Sequence, residues 1–173
     1  EYFNLGETTY TDVAFDPSNA NKCVIVFKDS ANSNFGTARV ATVSGTGISF
    51  GSEVVFNAGD STYTSVSFDP NRANKCAIAY RDSGNLGYAT VIEGTVSGTG
   101  ISFGSEVVVN SGASDIGEIH FDPNVSGKFL VTYQDYGNSE YGTAIVGNIS
   151  NALTTGSDYY LQTDGTVSTA TAS

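Results

Sequence analysis

The 173-residue chain has no Met, no Trp, one His, two Cys and only seven Lys or Arg against eighteen Asp or Glu. With a formal net charge of −11 it has little basic surface to offer phosphates. That argues against nucleic acid or an anionic membrane as partner. No apolar run approaches the roughly 20 residues of a membrane span, which argues against membrane insertion. Neither a CxxC pair nor a Cys/His cluster is present, so no metal or redox motif stands out. Charged residues make up 14% of the chain, against about 25% in an average globular protein. What is abundant is glycine, 20 residues, and aromatic side chains, ten Phe and ten Tyr. A chain with 39% apolar residues and this aromatic content is too rich for disorder.

Self-similarity is the strongest signal. Phe-Asp-Pro occurs at Phe15-Asp16-Pro17, Phe68-Asp69-Pro70 and Phe121-Asp122-Pro123, at intervals of 53 residues. The same register aligns Lys22, Lys75 and Lys128, then Asp29, Asp82 and Asp135, then Thr37, Thr90 and Thr143. The stretch TVSGTGISFGSEVV stands unchanged at Thr42–Val55 and Thr95–Val108. A tandem array follows. Units are expected at 10–62, 63–115 and 116–150, the last with an eroded fourth strand. Residues 1–9 read as the last strand of a preceding repeat, and 151–173 as a C-terminal hairpin and tail. The chain opens inside a repeat without an initiator Met or a secretory leader pattern, so a fragment of something longer is expected.

Each unit carries four strand-like runs, in the first unit Tyr10–Asp16, Cys23–Lys28, Thr37–Val43 and Ile48–Phe56. Turn chemistry separates them: Asp16-Pro17-Ser18-Asn19, the polar loop Asp29–Asn34, and Ser44-Gly45-Thr46-Gly47. Gly51 predicts a bulge or bend. No window has a helical apolar period, so the chain is expected to be all β. The second run places Cys23, Ile25 and Phe27 on one face and Val24 and Val26 on the other, which predicts burial from both sides. Four antiparallel strands per unit with two-sided burial predict β-propeller-like blades. A pseudo-threefold β-trefoil or β-prism-like fold is the alternative. Three blades do not easily make a ring, so closure would need missing repeats or a homo-oligomer. Tyr2–Leu5 could also complete the last unit.

Candidate chemistry is sparse. Cys23 and Cys76 occupy one repeat position, filled by Phe129 in the third unit. Free, buried thiols are expected, since units lie too far apart for a disulfide. His120 shares a strand face with Glu118, yet its equivalents are Ala14 and Ser67, so a structural or solvated histidine is expected over a catalytic one. Asp16, Asp69 and Asp122 read as turn caps. Asp29, Asp82 and Asp135 open the loops DSANSN, DSGNLG and DYGNSE, which offer turn structure, a possible calcium site or a ligand-binding rim. No other cofactor is expected. Asn34 and Phe35, Asn85 and Tyr88, Asn138 and Tyr141 pair amides with aromatic rings that can stack on sugars. A glycosidase-type carboxylate pair, such as Glu118 with Asp122, lacks a recognisable pocket.

The runs KFLVTYQDYGNSEYGTAIVG, KCVIVFKDSANSNFGTARVA and KCAIAYRDSGNLGYATVIEG, with the terminal DYYLQTDGTVST, resemble tandem repeats of marine phages and uncultured marine bacteria. In that family they form arrays in tail-fibre-like or other secreted surface proteins. The resemblance implies an extracellular or virion-surface module, non-enzymatic, that binds a host receptor or glycan. An extracellular carbohydrate-active propeller and a purely architectural spacer are the alternatives.

Overall fold

The computed structural model describes residues 1–149 throughout, together with the backbone of Tyr159–Leu161 and Val167–Thr169. The turn expected at Asp164-Gly165, the polar stretch 151–157 and the small-residue tail lie outside the described residues. The described residues form eleven strands: β1 Thr8–Phe15, β2 Lys22–Asp29, β3 Phe35–Ser44, β4 Gly47–Phe68, β5 Lys75–Asp82, β6 Tyr88–Ser97, β7 Gly100–Phe121, β8 Lys128–Asp135, β9 Tyr141–Asn148, β10 Tyr159–Leu161 and β11 Val167–Thr169. Strands β1 to β9 lie in sequence order in one antiparallel sheet, and β10 pairs antiparallel with β11, Leu161 facing Val167. Among the described residues the chain is all β apart from two single 3-10 turns, at Ser83–Asn85 and Tyr136–Asn138. Among the described residues no helix is long and apolar enough to cross a membrane.

The first three strands of each unit arise where expected. The fourth does not end at Phe56: β4 runs on for 22 residues and becomes the first strand of the next unit. It pairs with β3 up to Asp60 and with β5 from Ser61 onward. Strand β7 repeats this, pairing with β6 up to Ala113 and with β8 from Ser114. The expected unit boundaries at 62/63 and 115/116 therefore fall within two continuous strands, each next to its change of partner. Extended backbone survives there because both halves have a ladder to bond to, so no turn is needed. The bulge expected at Gly51 is present, as a register shift where Arg39 faces Glu53 and Ala41 faces Phe50.

Two-sided burial holds. Residues of β5 and β6 point alternately into two separate clusters. Cys76, Ile78, Tyr80 and Ile92 join Val24, Val26, Ala38, Val40 and Phe56 of the first unit. Ala77, Ala79, Ala89 and Val91 join Ile119, Phe121, Phe129 and Val131 of the third. Phe27, Ile78 and Tyr80 are completely buried, each side chain stabilising the fold by roughly 1.5–3 kcal/mol. The sheet is open, with β1 and β9 at its edges. The described strands form neither a closed ring nor the closed barrel of a trefoil.

The segment Tyr2–Leu5 is not a strand and does not complete the third unit. Its Phe3 ring packs on Phe27 at 5.2 Å, and its Phe3 carbonyl accepts from Arg39 Nη1 at 2.5 Å. Phe56, one repeat later, packs on Tyr80 at 5.1 Å in the same way. Phe3 thus does for the first unit what Phe56 does for the second, because the aromatic partner at the end of β2 or β5 is what it recognises.

Candidate functional site

The Asp-Pro turns behave as caps. Asp16 Oδ1 accepts from the Ser18 N–H at 2.8 Å, Asp69 Oδ1 from Asn71 at 2.9 Å, and Asp122 Oδ1 from Asn124 at 2.9 Å. Hydrogen bonding from the Asn124 backbone, with Lys128 nearby, holds the Asp122 carboxyl below the ordinary aspartate range. Both thiols are free and buried, and burial pushes Cys76 up to about 12.

The three loop aspartates also bond inward. Asp29 Oδ1 accepts from Ala31 and Asn32 at 3.1 and 3.2 Å, Asp82 Oδ1 from Asn85 at 3.2 Å, and Asp135 Oδ1 from Gly137 at 3.0 Å. Asp29 and Asp82 are buried. These carboxylates close their own turns, and among the described residues no three His, Cys, Asp or Glu side chains converge as a metal site. Each loop ends on two residues of positive φ, Ser33-Asn34, Leu86-Gly87 and Ser139-Glu140, which turn the chain into β3, β6 and β9. Phe35 and Tyr88, the first residues of β3 and β6, are half-buried there, whereas Tyr141 at the start of β9 is exposed. Asn34 is half-buried, and its carbonyl accepts from Ser61 N–H at 3.1 Å. Asn85 and Asn138 stay exposed. The sequence candidates thus sit one set per unit, at the same end of successive units, rather than in one pocket.

His120 and Glu118 face solvent together, Nε2 to Oε2 2.9 Å, with side chains 73% and 70% exposed. They border a concavity of about 360 Å³ beside Asp12, Ser65 and Ser67, where the first strands of the units run side by side.

A different group is drawn together by the tertiary structure. Tyr10 and Tyr63 hold equivalent places at a register shift early in the first strand of units one and two, both at positive φ, +50° and +52°. Such backbone is costly for a bulky residue, roughly 1–3 kcal/mol, and bulges re-aim the side chains that they carry. Here both rings are turned outward and meet at 4.9 Å. Next to them Asp115 accepts from Arg81 Nη1 at 2.5 Å and from the Tyr136 hydroxyl at 2.8 Å, and the Arg81 guanidinium lies 5.8 Å from the Tyr136 ring centre. The Asp115 carboxylate, by hydrogen bonding first, raises the Tyr63 and Tyr136 phenols above the ordinary tyrosine value. Arg81 reaches this position because Gly87 leaves it room: a Cβ there would lie 2.9 Å from Nε.

The resulting surface carries two outward aromatic rings, a third phenol, a carboxylate and a guanidinium. Flat rings with fixed donors and acceptors beside them can stack on a sugar face and bond its hydroxyls. None of Tyr10, Tyr63, Asp115 and Tyr136 stands out in the sequence. The one available signal is Tyr recurring at positions 10 and 63 before Thr, where Ile116 stands in the third unit. No protein-family model matches the chain, and no curated protein matches it either.

Proposed function

We propose that the chain is a non-enzymatic binding module, built of propeller-like blades, that presents an aromatic and polar rim to a glycan or a glycosylated receptor. The observation that carries this reading is the exposed Tyr10–Tyr63 pair, held in strained backbone beside Asp115, Tyr136 and Arg81. Strain of this kind is retained where a side chain has to be displayed rather than packed. The blade reading draws support from the two clusters on opposite faces of β5 and β6 and from the partner change within β4 and β7. A virion-surface or extracellular setting accords with the resemblance to marine phage and bacterial surface repeats. Several weak sites on an array would add by avidity.

Among the described residues the exposed Glu118–His120 pair is an alternative centre for catalysis, and its open, water-screened setting favours binding over hydrolysis. A glycan array probed with the native chain and with Tyr63→Ala tests the proposal. Binding by the native chain that Tyr63→Ala loses, with unchanged melting, is the expected result. Turnover of a chromogenic glycoside panel, without array binding and abolished by His120→Ala, would overturn it in favour of a carbohydrate-active enzyme. Silence in both assays would leave an architectural spacer. No cofactor enters this reading. Calcium should leave the melting temperature unchanged, and an upward shift would reinstate Asp29, Asp82 and Asp135 as ion ligands.

A further inference from the structure

The head of the array carries an uncovered copy of a face that is buried elsewhere. Val13 is 53% exposed and Phe15 62%, whereas their equivalents Val66 and Phe68 are 5% and 7%, and Ile119 and Phe121 0% and 8%. The difference is one of position alone. Val66 and Phe68 lie under the first unit and Ile119 and Phe121 under the second, while no unit among the described residues lies over Val13 and Phe15. Phe3 shelters only the Phe27 end of this face.

Polar groups mark how successive units dock. Asp12 Oδ2 accepts from the Val66 N–H at 2.8 Å, and Ser65 Oγ accepts from the Ile119 N–H at 3.2 Å, each pair separated by 54 residues. At the other corner Ser18 Oγ accepts from Asn74 N–H at 3.0 Å, and Asp69 Oδ2 from Gly127 N–H at 2.8 Å. Next in the first series comes Glu118, which meets no further unit among the described residues and points into solvent. The N–H one register on from Ile119 is that of Val13 at the head, which bonds back to its own Asp12 Oδ1 at 2.8 Å. Leu130, 42% exposed, stands on the tail face at the position of the buried Val24 and Ala77.

We propose that the head face of one copy is covered by the tail face of the third unit of a second copy, repeating the internal unit-to-unit interface. Glu118 then accepts from the Val13 N–H of the other copy, and Leu130 packs on Val13 and Phe15. Two copies of the described residues bring six units, within the roughly four to eight that close a ring, so the two head-to-tail contacts of one dimer can satisfy each other. The tail face is more polar than the internal ones, with Thr132 where Val26 and Ala79 stand, which makes the pairing reversible on dilution. This inference rests on the unit interfaces and not on the glycan reading, so either can fail alone.

Sedimentation of the full chain over a hundredfold concentration range tests it. A discrete dimer is expected, dissociating on dilution. A head variant, Val13→Asp with Phe15→Asp, and a tail variant, Leu130→Asp, should each be monomeric alone. All three positions are exposed, and unchanged circular dichroism and melting temperature would confirm folding. Mixed, the two variants should form a one-to-one heterodimer through the single intact head and tail. A monomer at every concentration overturns the proposal. So does a tail variant that still dimerises alone, which would mean head-to-head pairing, and a growing series of larger species overturns ring closure.

Discussion

Phe129 shows how one substitution is absorbed by another. Its equivalents Cys23 and Cys76 face Ala41 and Gly94 across the ladder, and Phe129 faces Gly147. A Cβ on Gly147 would sit 2.1 Å from the Phe129 ring, and on Gly94 2.7 Å from the Cys76 sulfur. Gly147→Ala should therefore destabilise by about 1–3 kcal/mol through overpacking. Adding Phe129→Cys recreates the Cys23–Ala41 pair and should recover part of that loss, a coupling that a double-mutant cycle of melting curves would read directly. The thiols make a second test. Cys76, completely buried and with its thiol held near 12, should resist a thiol reagent in the native protein and react at once in denaturant. Fast native labelling of Cys76 would contradict its burial. At Tyr63 the strain of its backbone and its ring contact, each of the order of 1 kcal/mol, oppose each other. Tyr63→Gly should thus leave stability nearly unchanged while glycan binding is lost.

Between elements, the joints of the array are polar as well as apolar. Glu93 on β6 accepts from Lys75 Nζ at 2.8 Å and from Arg72 Nη1 at 2.9 Å, and Arg72 also donates to the Ile149 carbonyl at 3.2 Å, tying the second unit to the third. Burial disfavours the charged form of Glu93, but the hydrogen bonds from Lys75 and Arg72 outweigh it and hold the carboxyl below its ordinary value of 4.5. A carboxyl depressed in the folded state adds stability that is complete above its unfolded value and is lost as pH falls through the folded one. Melting temperature should accordingly fall with acidification below about pH 4.5, and less steeply in Glu93→Gln. An equal fall in both proteins would show that this joint does not contribute. Gly51 is a joint of another kind. A Cβ there would lie 1.8 Å from the Thr99 carbonyl oxygen in the hairpin of the next unit, and backbone cannot give way as a flexible side chain can. At Gly104 the nearest atom is 3.9 Å away. Gly51→Ala should cost about 1–3 kcal/mol, and Gly104→Ala should be neutral or mildly stabilising, as chemical denaturation would show.

For the whole molecule, apolar burial is set by place in the array. Among the described residues the middle unit is covered on both faces, the first lacks cover in front and the third behind. Capping an array requires polar outer faces, and here the tail face is the more polar while the head keeps Val13 and Phe15. Neutralising the head with Val13→Asp and Phe15→Asp should abolish concentration-dependent sedimentation without lowering the melting temperature. A large loss of melting temperature would instead mean that these side chains stabilise the single chain.

The sequence by itself determined the repeat, its 53-residue period, the all-β class, the Asp-Pro turn caps and the two-sided burial of the second strand. These are local or periodic properties, and hydrophobic alternation and turn chemistry report them directly. Continuity of β4 and β7 was not legible, because a strand that changes partner midway contains no turn to announce the change. Nor was the Tyr10–Tyr63–Asp115 cluster, whose members come from the first strands of three successive units and meet only when the units pack. The identical stretches Thr42–Val55 and Thr95–Val108 make the division plain. Phe50 lies 5.2 Å from the Arg39 guanidinium, whereas Phe103 packs against Phe56 at 5.9 Å; Ile48 is half-buried and Ile101 buried. With the same residues in the same order, only neighbours supplied by the tertiary structure can tell the two apart.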